Sequence, residues 1–129
     1  MSVLPSHLKY TDNHEWVYLN EHGEAIVGVT DFAQESLGEL TSVTFPELGM
    51  DVAAGDEVME LETVMAASII SAPMTGEIVE INESLEESPE QVNDEPYDAG
   101  WLFKMQVHDE SELDDLLSDE EYQAKLDAE

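Results

Sequence analysis

The chain has 129 residues, 42% of them apolar, with 3 basic side chains against 32 acidic ones and no cysteine, for a formal charge of −29. That charge repels phosphate backbones and anionic headgroups, which argues against nucleic-acid and membrane partners. The missing thiols exclude disulfides, thiolate catalysis and cysteine-bound zinc, and no apolar run reaches the roughly 20 residues of a membrane helix.

A mean hydropathy of −0.30 and this length suit one domain over residues 1–129, with an acidic helical tail from about residue 111. The opening MSVLPSHLKY has no basic, apolar leader, so a cytoplasmic location is expected. Residues 1–12 read as irregular. His14 to Leu19 alternates and is rich in β-formers. Glu21-His22-Gly23 reads as a turn into a second strand, Ala25 to Val29, giving a hairpin. Thr30 or Asp31 caps a short helix, with Asp31 and Gln34 spaced as a capping box and Gly38 as its stop.

From Leu40 the pattern is again β. Thr41 to Phe45 forms a strand ended by Pro46, and turns at Gly49 and Gly55-Asp56 flank a short segment, Met50 to Ala53. Val58 to Val64, Ala67 to Ala72, Glu77 to Asn82 and Trp101 to Val107 read as further strands, with Pro89 starting one helical turn. Leu113, Leu116 and Leu117 have helical spacing. Ser118 and Glu121 repeat the capping-box pattern, which predicts a last helix over about 119–127. Short strands with frequent turns make the chain mainly β, a small barrel or sandwich.

Specific words run through this pattern: His14-Glu15-Trp16; Val27-Gly28-Val29-Thr30 with Phe32-Ala33-Gln34; Phe45-Pro46-Glu47-Leu48-Gly49; Glu62-Thr63-Val64-Met65-Ala66-Ala67-Ser68; Ala72-Pro73-Met74-Thr75-Gly76-Glu77; and Asn93-Asp94-Glu95-Pro96-Tyr97. In this order and spacing they resemble the H protein of the glycine cleavage system over nearly the whole chain. The resemblance implies a barrel-sandwich hybrid, like lipoyl domains, of two small antiparallel sheets with short helices and a C-terminal helix. It also implies a monomeric carrier component rather than an enzyme. In that family a lysine at a hairpin tip bears lipoate by an amide bond. The arm takes the aminomethyl group of glycine from the P protein to the T protein, and the L protein reoxidises it.

The family's lysine falls at Met65, which has no amine, so no lipoate is expected on this chain. The family's acidic residue four places later falls at Ile69. Glu15 matches a carboxylate that the resemblance places beside the loaded arm, and a surface carboxylate at a strand start is the alternative. Three origins stay open: an engineered variant with the carrier site deleted, a paralogue that has lost carrier chemistry, and a designed sequence on the same backbone. A paralogue, or an engineered or designed scaffold, would have a structural or partner-binding role. A biotin-carrier reading fails on the same missing lysine.

The other candidates are bland. His7, His14, His22 and His108 have no metal-ligand spacing, and Glu86-Glu87 and Asp119-Glu120-Glu121 lack the pattern of a calcium loop. No nucleophile or acid–base constellation stands out. Trp16 and Trp101 read as core anchors. Met59 and Met105 read as core filling, whereas Met65 and Met74 lie in or near turns, with one or both exposed and their thioethers of the type that ligates a soft metal such as copper(I).

Overall fold

The computed structural model describes residues 8–128. Among the described residues, nine strands form two antiparallel sheets. They are β1 (Lys9–Tyr10), β2 (Glu15–Leu19), β3 (Glu24–Val29), β4 (Leu40–Thr44), β5 (Asp51–Val52), β6 (Glu57–Thr63), β7 (Ala67–Ser71), β8 (Gly76–Ile81) and β9 (Phe103–Val107). One sheet has the order β1-β2-β3-β9-β8-β5 and the other β4-β6-β7. Alternation along the strands explains the core between them: Val17, Ala25, Val27, Leu61, Ile70, Ile78, Phe103 and Met105 all turn inward and are buried.

The helices close the ends of this core. Helix α1 (Asp31–Leu37) is capped by Thr30, whose Oγ1 accepts the Ala33 N–H at 3.3 Å. The Asp31–Gln34 pair bonds side chain to side chain at 2.8 Å, so Thr30 rather than Asp31 is the cap. Gly38 ends the helix at φ 87°, a conformation that costs glycine little. Two single-turn helices, α2 (Ser84–Glu87) and α3 (Gln91–Asp94), bury Leu85 and Val92. The Pro89 carbonyl accepts from the Val92 N–H at the start of that second turn.

After a 3₁₀ turn at Glu110–Asp115, helix α4 (Asp119–Ala128) starts with the expected reciprocal cap. Glu121 N–H donates to Ser118 Oγ at 3.2 Å and Ser118 N–H donates to Glu121 Oε1 at 2.9 Å. This helix is held by Tyr122, which is fully buried and stacks on Tyr10 with ring centroids 4.9 Å apart. The Tyr122 hydroxyl meets His14 Nδ1 at 2.7 Å and Thr30 Oγ1 at 2.8 Å, joining the tail to the start of β2 and the cap of α1.

Two expectations are corrected. Residues 9 and 10 are a strand, not irregular chain: Lys9 pairs with Val17 and Tyr10 with Trp16, and Tyr10 exchanges backbone bonds with Leu117. Two residues are too few for an alternation to be read. The irregular reading of residues 1–7 lies outside the described residues. Met74 is fully buried despite its turn, because the turn folds back over the core, and it is no candidate for a surface thioether site.

Candidate functional site

Strands β6 and β7 form a hairpin with Val64 and Met65 at its tip. Thr63 shapes the turn: its Oγ1 accepts the N–H groups of Met65 at 3.3 Å and Ala66 at 3.0 Å, and donates to the Ala66 carbonyl at 3.1 Å. The backbone polar groups are thus satisfied locally and the tip side chains are left outside. Val64 is 85% exposed and Met65 90%. Ile69, four residues beyond Met65, lies on the outer face of β7 opposite Glu60 and is 45% exposed.

Glu15 does not sit at the surface. It is 1% exposed, which overturns the surface-carboxylate alternative. A turn over residues 11–14 delivers it: Thr11 Oγ1 accepts the Asn13 and Glu15 N–H groups, and His14 takes the left-handed φ of 67°. The carboxylate then reaches across to the other sheet. Its Oε2 accepts the Ser71 N–H at 3.1 Å, and its Oε1 accepts the Thr11 hydroxyl at 3.1 Å. Burial pushes the carboxyl up to about 7, with these two hydrogen bonds pulling the other way. No lysine or histidine forms an ion pair with it among the described residues.

The three residues singled out in the sequence therefore share one hairpin or its anchor. Met65 is at the tip, Ile69 is midway along β7, and Glu15 grips Ser71 at the far end. Thr11, Thr63 and Ser71 complete the arrangement. Only the position of Thr63, two before the tip, carried any sequence signal. His14 faces Phe32, with ring centroids 4.6 Å apart, beside this anchor.

Among the described residues no cluster of three or more His, Asp or Glu could hold a metal ion, and no helix is long and apolar enough to cross a membrane. A recess of about 390 Å³ lies on the outer side of the larger sheet, bordered by Trp16, Tyr18, Ile26, Trp101 and Lys104. None of its lining comes from β6 or β7. Trp16 is itself buried, with its indole N–H donating to the Pro96 carbonyl at 2.7 Å, as befits a core anchor.

The chain matches the glycine cleavage H-protein family model over residues 8–129. It belongs to that family. A glycine cleavage system H protein of Hydrogenovibrio crunogenus is 64% identical over 127 residues, covering 98% of each chain. One from Alcanivorax borkumensis is 54% identical over the whole of both chains. A crystal structure of the H protein from Mycobacterium marinum superposes with a TM-score of 0.84 at 35% identity, covering 95% of this chain and 98% of that one. H proteins are lipoyl carriers of the glycine cleavage system, working with its P, T and L proteins, and are not themselves catalysts. The two-sheet architecture with short helices and a C-terminal helix is the family's barrel-sandwich hybrid.

Amide formation needs a lysine amine, and the tip carries the Met65 thioether and the Val64 isopropyl group. The three lysines lie elsewhere. Lys104, in β9, is 3.5 Å from Glu80 and over the Trp101 ring. Lys125, in α4, is 3.5 Å from Asp12, and Lys9 is in β1. The residues present do not fit an amide-linked arm at the hairpin.

Proposed function

We propose that this chain is an H-family scaffold without the swinging arm: it keeps the body that the P, T and L proteins meet but does not itself carry the aminomethyl group. The observation behind this reading is Met65, an exposed thioether at the tip where the resemblance places the attachment lysine. A thioether cannot be acylated to an amide, so the exclusion is chemical and does not depend on local geometry. Ile69 supports the reading, since an isoleucine on the outer face of β7 offers no charge to a cationic aminomethyl group. Glu15 acts in this reading as a positioning residue, fixing the base of the hairpin to the larger sheet through Ser71.

The test is the intact mass of the chain after incubation with lipoate-attaching enzymes, beside a Met65→Lys variant. The reading requires that only the variant gain a lipoyl group. A lipoyl group on the unaltered chain would return the carrier role through Lys9, Lys104 or Lys125. If neither chain gains the group, Met65 is not at the attachment position. A role as a partner-binding scaffold is the second reading, favoured by the exposed apolar side chains of Val64, Met65 and Ile69 on the hairpin.

A further inference from the structure

Strand β7 is the edge of the three-stranded sheet. In its ladder Ser68 and Ile70 lie opposite Leu61 and Met59 of β6, while the Ser71 N–H turns away to Glu15. Backbone groups alternate in direction along an antiparallel strand, so the N–H and C=O groups of Ala67 and Ile69 also face away from β6. No hydrogen bond meets them among the described residues.

Natural edges are usually blunted by a charge, a proline or a covering segment. The other long edge here is partly covered: the Leu40 N–H of β4 donates to Asn93 Oδ1. Strand β1 is bridged to Leu117. Strand β7 reads Ala-Ser-Ile-Ile-Ser, with no charge and no proline, in a chain of net charge −29. Its outer face is lined on the neighbouring strand by Glu60 and Glu62, opposite Ile69 and Ala67.

We propose that the β7 edge is a strand-addition site for an extended segment of another protein, uncharged and apolar where it pairs with Ala67–Ile69 and basic at its flanks. Backbone bonds to Ala67 and Ile69 supply the ladder, Ile69 and the tip residues Met65 and Val64 supply apolar contact, and the acidic surroundings select the basic flanks. A second copy of this chain is the poorer occupant, because two bodies each carrying −29 repel. The proposal is independent of whether the hairpin carries lipoate.

The probe is a capped peptide with two lysines at each end and an alternating valine–threonine stretch between them. It is titrated into the full chain with amide hydrogen exchange as the readout. Slowed exchange at Ala67 and Ile69, and binding at least about tenfold weaker for the same peptide N-methylated throughout its central stretch, are expected, since the methyl groups remove every donor but no charge. Equal binding of the methylated peptide would mean charge attraction alone and overturn the proposal, as would protection confined to other strands or no binding at low salt. Ile69→Pro removes one outward N–H without touching the bonds to β6 and should abolish the protection. The methylated peptide keeps the test decisive if that variant misfolds. Protection of Ala67 and Ile69 in the chain alone, lost on dilution together with a dimer in sedimentation equilibrium, would assign the edge to a second copy and also overturn the proposal.

Discussion

At its Ser71 end strand β7 is locked into the molecule. The Ser71 amide is held by a carboxylate 1% exposed, which reaches over from the opposite sheet. At the other end of the same hairpin, six residues earlier, Met65 is 90% exposed and its turn is satisfied by Thr63 alone. At roughly 3.3 Å per residue the two ends stand about 20 Å apart. The difference separates two kinds of constraint. The base tolerates few side chains because it is packed and hydrogen-bonded, whereas the tip places almost no structural demand on what occupies it, so chemistry there can change without cost to the fold.

The sharpest way to test this separation is to shorten a side chain inside the same hairpin. Leu61, in β6, is fully buried. Leu61→Ala should cost about 4 kcal/mol, as lost burial plus the cavity left behind, measured as a shift in the urea midpoint. A loss under about 1 kcal/mol would mean that the inner face of the hairpin is as loosely held as its tip.

The base also has a pH signature. Glu15 titrates near 7 when folded, against 4.5 for an ordinary glutamate. A raised folded value means that the folded state keeps a proton that the unfolded chain releases. Stability from this group therefore falls as pH rises from about 4.5 to 7, and the burial penalty is fully present above that. Integrated over that interval the penalty is about 3 kcal/mol. Glu15→Gln removes the charge while keeping an acceptor for the Ser71 N–H. It should gain stability over the parent chain above about pH 7 and lose that advantage near pH 4. A constant difference across the range would show that Glu15 is not the group responsible.

Much of the framework was legible in the sequence, for reasons that differ by element. The strands around Val17, Val27, Leu61 and Ile78 show a period of two because each buries one face, and the Ser118–Glu121 cap is a local motif that needs no tertiary context. What escaped depends on distant partners. Nothing local marks Glu15 as buried, because its acceptor role is set by Ser71, 56 residues away. Strand β1 exists through its register with β2 and its bridge to Leu117. Helix α2 lies in an acidic stretch whose single buried residue, Leu85, leaves no periodicity to read. The chemistry of the site was legible only through its ordered words: the break between two β-like runs puts Met65 in a turn, but nothing local marks that turn as an attachment position.

A smaller effect is expected where the C-terminal helix joins the base. Tyr122→Phe keeps the stack on Tyr10 but removes the hydroxyl that meets His14 and Thr30. Loss of a buried hydroxyl with two partners should cost about 1–2 kcal/mol. Hydrogen exchange should rise first in α4. An equal rise throughout β6 and β7 would couple the tail to the hairpin more tightly than the contacts imply.

The smallest effect is expected at the tip. Met65→Lys replaces one exposed flexible side chain by another, and the Thr63 bonds that build the turn involve only the backbone of residues 65 and 66. Exposed substitutions away from packed features usually change stability by less than about 0.5 kcal/mol, and added positive charge in so acidic a chain favours the folded state slightly. The urea midpoint of Met65→Lys should therefore coincide with that of the parent chain, even though the variant gains the amine that amide formation needs. A clear loss of stability would mean that the methionine packs against something at the tip, and the division between a constrained base and a free tip would fail at the residue on which it matters most.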